Sequence, residues 1–178
     1  MNLRITVKGL ERATAELKAT VRAGMRNGLE LAGLRGEELV RENIRAPYNG
    51  HPLRVNTGIM EAAVVSRVDA AAGLIGRAVV FVQPPADIYA GVMELGRRPG
   101  KKFPPLQAML FWVKTKLHIE DEKQARSVAF LVGRKIVKKG IAGHFMFQRA
   151  LGTLQTELRG IFEASIGRVL EAAGYGKK

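Results

Sequence analysis

From Leu10 to about Ile44, apolar or small residues return every three or four positions (Leu10, Ala13, Leu17, Val21, Met25, Leu29, Ala32, Leu39), with Glu and Arg filling the positions between. That period fits one long amphipathic helix with a single buried stripe, and the rest of the chain must cover the stripe. Within it Gly24, Gly28, Ala32 and Gly36 fall every fourth residue. Each glycine inside a helix costs about 1 kcal/mol relative to alanine, so a close approach of another backbone is needed to offset them. Two partners fit. One is the chain's own folded body, the favoured explanation; the other is a neighbouring subunit, which would make Gly24, Gly28 and Gly36 an interface.

Around this helix the pattern alternates. Leu3, Ile5 and Val7 against Arg4, Thr6 and Lys8 read as a strand ended by Gly9. The stretch 46–56, with Pro47, Asn49, Gly50 and Pro52, is a loop by composition, and Thr57 is placed to cap a short turn over 58–63. Segments 64–68 and 74–82 read as an antiparallel strand pair around a turn at 69–73. Asp87 is placed to cap a short helix carrying Tyr89, Val92 and Met93. Arg97 to Lys102 forms a basic loop, and Pro105 suits the first turn of a helix running to about Leu117. The acids Glu120, Asp121 and Glu122 then suit the N-terminus of a helix that buries Ala125, Val128, Ala129, Val132 and Ile136 and ends in Lys138, Lys139 and Gly140. A last helix, about 145–173, carries the stripe Phe147, Leu151, Leu154, Leu158, Ile161, Ser165 and Val169.

Charge is the next constraint. The net charge is +13, and the segment from Gly96 to Thr156 holds thirteen Lys or Arg against three acids, which accounts for ten of those charges. Such a bias favours contact with a polyanion, either nucleic acid or an acidic protein face, although a plain solvated surface is an equal reading of the charge alone. With no cysteine, a disulfide scaffold, a thiolate zinc site and a thiol nucleophile are excluded, which fits manufacture in a reducing cytoplasm. The first residues do not read as a signal peptide, and no apolar stretch is long enough to span a bilayer. No membrane association is expected.

Catalytic constellations do not emerge. His51, His118 and His144 lack metal-ligand spacing, and neither a phosphate-binding Gly-x4-Gly-Lys-Ser/Thr loop nor a Gly-x-Ser-x-Gly elbow is present. The acidic triplet is better explained by helix polarity than by magnesium, since adjacent helical residues diverge. No catalytic, cofactor-binding or metal-binding residues are assigned, and no cofactor is expected. Zinc-finger spacing, basic heptads and aromatic RNA-recognition strands are also missing, so a nucleic-acid contact would be to phosphate and without base readout.

Three segments recur in an order that carries a resemblance: Asn56-Thr57-Gly58-Ile59-Met60, then Tyr89-Ala90-Gly91-Val92-Met93-Glu94-Leu95-Gly96, then Gly140-Ile141-Ala142-Gly143-His144-Phe145-Met146-Phe147-Gln148-Arg149-Ala150-Leu151. Together with the long first helix and the strand pair, this resembles the neck and tail-completion proteins of long-tailed bacteriophages. The similarity spans roughly residues 2–170. It implies a single α+β domain over 1–178, in which a small antiparallel sheet packs against a long N-terminal helix and a C-terminal helix. A helical pair at 103–139 would be an insertion. It also implies a non-catalytic virion component at the neck or upper tail, head-tail joining or tail-terminating in kind, assembled as a ring, most simply of six copies.

Thr57, Gly58, Tyr89, Ala90, Gly96, Phe145, Phe147 and Ala150 would then be structural motif residues. Tyr89 and Ala90 would seat their helix on the sheet, and Phe145 and Phe147 would anchor the closing helix. Glu94, near Arg97 and Arg98, would form an ion pair within or between subunits, or else stay exposed. Arg97, Arg98, Lys101, Lys102, Lys135, Lys138 and Lys139 would face partner neck or tail-tube proteins, or DNA sliding non-specifically through the channel. Many relatives have Thr where this chain has Arg97, and Pro where it has Gly143-His144, so the local loop geometry is expected to differ. The alternative is a basic nucleic-acid-binding protein of a mobile element.

Overall fold

A computed structural model describes residues 3–6, 15–50, 58–70 and 76–175. The fold is α+β, with a small antiparallel sheet, a long N-terminal helix and a C-terminal helix. In chain order the elements are β1 (Leu3–Thr6), α1 (Ala15–Arg45), α2 (Ile59–Ala62), β2 (Val64–Ala70), β3 (Gly76–Val82), α3 (Asp87–Leu95), α4 (Leu106–Leu117), α5 (Glu122–Lys139) and α6 (Met146–Ala172). The chain divides into two compact units. The first comprises 1–43, 63–83 and 146–178, and the second 44–62 and 84–145.

The first unit is built on a sheet of order β1-β3-β2, antiparallel throughout. Central strand β3 buries Ala78, Val79, Val80 and Val82, the three valines being β-branched residues suited to a pleated surface. β2 extends through Asp69 and Ala70, which lie in register with Arg77 and Gly76. Asp69 is therefore a ladder residue and not the start of the turn, and it holds the Arg77 guanidinium across the pair (Nε–Oδ2 3.1 Å). The outer edge of β2 is covered from α1. Glu37 accepts from the Ser66 N–H and hydroxyl, each at 2.6 Å, while Arg41 donates to the Val64 carbonyl at 2.6 Å. Unpaired edge groups template unwanted pairing, and here side chains satisfy them.

Helix α6 runs antiparallel to α1, and the stripe of small residues is the seam. A Cβ on Gly24 would stand 2.9 Å from the Ile166 Cα, and one on Gly28 2.7 Å from the Phe162 ring. Ala32 is fully buried. Ser165, buried mid-helix, donates its hydroxyl to the Gly24 carbonyl at 2.8 Å, a bond that only a close crossing permits. Farther along, Arg35 pairs with Glu157 (2.8 Å), and Asn43 donates to the Met146 carbonyl (3.0 Å). Of the two partners open to the groove at Gly24 and Gly28, the favoured one, the chain's own body, fills it through the closing helix, and these glycines do not form an interface with a neighbouring subunit. Gly36 is likewise buried.

In the second unit, α4 and α5 form a helical hairpin around Leu110, Val113, Ala125 and Ala129, with Met109, Trp112, Ile119 and Val128 packed against them. His118 turns the chain in the left-handed conformation (φ 53°), and Asp121 caps α5 by accepting from the Gln124 N–H at 2.7 Å. The short helix α3 starts differently from expectation. Its N-cap is Ala86, without a side-chain bond, and Asp87 is already the first helical residue. Ala86 is wholly buried, and alanine has no side-chain oxygen with which to cap, although its carbonyl accepts from the Ala90 N–H.

Candidate partner-binding surface

A backbone seam brings distant segments of the second unit together. Just past α3, the chain runs beside 140–145: the His144 N–H donates to the Met93 carbonyl (2.8 Å) and the Phe145 N–H to the Glu94 carbonyl (3.0 Å). Arg97 and Ile141 then exchange both of their backbone bonds, at 2.7 and 2.8 Å, and the Gly100 N–H reaches the Val137 carbonyl at 2.8 Å. Such close passage demands glycine. Gly96 has φ 75°, and a Cβ there would lie 2.5 Å from the Ile141 oxygen and 2.6 Å from the Gly143 nitrogen. Gly140, at φ 74°, closes α5 and would likewise drive a Cβ into the Arg97 carbonyl.

The seam lays the basic loop along the last turns of α5. Arg98, Lys101 and Lys102 are exposed on the loop, and Arg134, Lys135, Lys138 and Lys139 on the helix. Among the described residues, no carboxylate lies within ion-pairing distance of any of these seven. Two cations farther up the hairpin are committed: Lys114 and Arg126 both pair with Glu122 (3.5 and 3.0 Å), and the Arg126 hydrogen bond, followed by the Lys114 charge, holds its carboxyl below the usual range. Arg97 differs from its neighbours. Its guanidinium donates to the Lys102 carbonyl and closes the loop on itself, so it serves as a clamp and is not an outward contact.

Apolar side chains stand among the free cations. Phe130 and Leu131 are 52% and 62% exposed. Phe103 stacks on Phe130 with ring centroids 5.7 Å apart, and Arg134 sits 5.9 Å over the Phe130 ring. Gly133 lets Phe103 approach, for a Cβ there would collide with the ring. The expected buried stripe of α5 omits Phe130 and Leu131, so their outward phase was readable from the period. The backing of Phe130 by Phe103, 27 positions away, had no local signal.

Other motif residues lie as follows. Glu94 is 1% exposed, so it is enclosed by its own chain and is not a surface for another copy. Ala90 is buried, whereas Tyr89 is 42% exposed, with partial burial pushing its phenol up. Phe147 and Ala150 are buried on α6 in the first unit. Phe145 precedes that helix in a left-handed conformation (φ 51°), half-buried, with its ring edge-on to Tyr48 at 5.6 Å. It is therefore a joint before the helix and not an anchor within it. His144, 4% exposed, meets the Ala46 carbonyl at 3.0 Å through Nε2. Gly58 takes φ 70° just before α2, while Thr57 lies outside the described residues.

Among the described residues no group of three His, Cys, Asp or Glu is arranged to hold a metal, and no helix is long and apolar enough to cross a membrane. What the arrangement offers is a fixed cationic surface with an apolar centre on an α+β scaffold. No family model, curated protein or solved structure matches the chain.

Proposed function

We propose that this chain is a non-catalytic structural protein of a bacteriophage virion, placed at the neck or upper tail, where it completes the tail or joins it to the head as a ring, most simply a hexamer. The observation that carries this reading is the seam: Tyr89–Gly96 and Gly140–Leu151, the two segments on which the family resemblance chiefly rests, meet through the Met93–His144 and Glu94–Phe145 backbone bonds. Their motif residues, among them buried Glu94, Ala90 and Phe147, act by holding the chain together. A cyclic assembly needs two different patches per subunit. Since Gly24, Gly28 and Glu94 are enclosed by their own chain, contacts between copies fall to the exposed surface. The free cations of the basic loop and α5 face a neighbouring neck or tail-tube protein, or the DNA in the channel.

Light scattering on the purified protein at low and high salt, with negative-stain imaging of the same sample, tests the reading. Closed rings, formed alone or on adding a neighbouring tail component, are the expected result. A protein that stays monomeric under both conditions and binds duplex DNA tightly, with a steep salt slope, would overturn it. That outcome belongs to the second reading, a nucleic-acid-binding protein of a mobile element, which the seven exposed cations, without a carboxylate partner among the described residues, favour.

A further inference from the structure

We infer that the outward face of α5, walled by the basic loop, docks an acidic amphipathic helix of a partner protein. The inference rests on the assembly role proposed above and supplies the chemistry of the partner. Along α5 the outward stripe runs Lys123, Ser127, Leu131, Arg134, Lys138, with Phe130 and Lys135 flanking it, all exposed. Positions three and four apart share a helix face, so cations stand at both ends of an apolar step at Phe130 and Leu131. Arg98, Lys101 and Lys102 border the same region, because the Gly100–Val137 bond fastens their loop to the helix. An apolar, aromatic centre inside a charged rim is the anatomy of a protein interface. The complement is a helix with carboxylates around a few leucine-like side chains.

Nucleic acid fits this face less well. Phosphate would match the cations but leave Leu131 and Phe130, 62% and 52% exposed, without an apolar partner. Single strands bind by stacking bases on open aromatic faces. Here the rings are engaged within the chain: Phe103 stacks on Phe130, Arg134 lies over Phe130, and the backbone at Gly133 lies against Phe103. Ring edges and an aliphatic side chain remain, which suit side-chain packing. Among the described residues no carboxylate pairs with these cations, so an acidic partner need break no ion pair seen there.

The test uses the full chain and a fluorescent helical peptide of about 20 residues, long enough at about 1.5 Å per residue to lie along α5. The peptide is built from Glu, Ala and Leu, with Leu at every third or fourth position, and a second peptide of equal charge carries Ser in place of Leu. Anisotropy at about 50 and about 300 mM salt separates screened from unscreened contributions. The Leu peptide should bind about tenfold more tightly than the Ser peptide, a difference of one decade in Kd. Leu131→Glu should abolish that preference, and Lys135→Gln with Lys138→Gln should weaken both peptides and flatten the salt dependence. If Leu131→Glu lowers the thermal melt, the lysine pair, exposed on the helix surface, carries the test. Equal binding of the two peptides, or displacement of the Leu peptide by a single-stranded oligonucleotide at lower concentration, would overturn the inference. Rings without peptide binding would sink this surface alone, whereas peptide binding without rings would sink the assembly reading alone.

Discussion

The two units use the same residue types in opposite ways. In the first, several arginines are paired: Arg35 with Glu157 and Glu38, Arg41 with Glu37, Arg77 with Asp69, Arg159 with Glu163. In the second, Arg98, Lys101, Lys102, Lys135, Lys138 and Lys139 are exposed with no carboxylate at hand among the described residues. Large apolar side chains follow the charges. The first unit buries Leu29, Leu39, Val40 and Leu154 between α1, sheet and α6, whereas the second exposes Ile88, Leu95, Phe111, Phe130 and Leu131. Cohesion differs as well. Side chains interlock α1 and α6 in the first unit, while in the second the α4–α5 core is joined to the basic loop and α3 by backbone bonds around Gly96, Gly140 and Gly143. A loop fastened by its backbone can leave its side chains to a partner, which is why recognition is assigned there.

The comparison breaks if a core truncation in the first unit is tolerated. Leu154 is fully buried, and Leu154→Ala should cost about 4 kcal/mol through lost burial and a residual cavity. Denaturant melts would show it, with hydrogen-exchange protection falling most along α1, β3 and α6. In the second unit the matching test is Gly96→Ala. Its methyl would meet the Ile141 oxygen at 2.5 Å, at a backbone angle few side chains adopt, for a cost of about 3 kcal/mol. Protection should then fall at the ends of α3 and α5. A neutral Gly96→Ala would mean that the seam is not what holds this unit.

How much of this was legible in the sequence follows from the range of the forces. The stripes of α1 and α6 and the alternation of the strands are local, and they placed those elements to within a few residues. Choosing between a neighbouring subunit and α6 as the partner of Gly24 and Gly28 required knowing that Ile166 and Phe162, more than 130 positions on, cross there. No period carries that information. The seven cations were visible as composition, but their convergence depends on the Gly100–Val137 bond. For Glu94 only part of the expectation is overturned, for a related reason. A pair within or between subunits and simple exposure were both open from the sequence, and the passage of 143–145 beside α3, at 1% exposure for Glu94, removes the exposed reading. Asp87 shows the limit of capping rules, for a better cap residue stood one position too late.

Glycines sharpen the contrast further. Gly160 lies on the exposed side of α6, and a Cβ there meets nothing within 4 Å. Gly160→Ala should therefore stabilise the protein by about 0.5–1 kcal/mol through helix propensity alone. Gly24→Ala, on the seam, would gain the same propensity but push against the Ile166 backbone at 2.9 Å, and should be destabilising overall. Opposite signs from one substitution on two packed helices would isolate the seam as the cause, and thermal melts of the two variants suffice to read them.

The smallest effect concerns the paired charges. Arg35 hydrogen-bonds Glu157 and holds its carboxyl below the ordinary range. A carboxyl whose folded pKa is lowered contributes stability that is present above its unfolded value, about 4.3, and is lost as the pH falls through the folded value. Glu157→Gln should therefore lower stability at pH 7, by no more than about 1 kcal/mol given the partial exposure and screening of the pair. The gap between wild type and variant should close on acidification below the folded pKa and narrow in high salt. Lys135→Gln in the second unit should show no such pH-dependent gap, since among the described residues no carboxylate pairs with Lys135. Melting both variants across pH 3 to 7 puts the two units side by side. A gap of similar size and pH dependence for Lys135→Gln would mean that its charge is already in use at rest, and that the division between an inward-paired and an outward-facing unit is wrong.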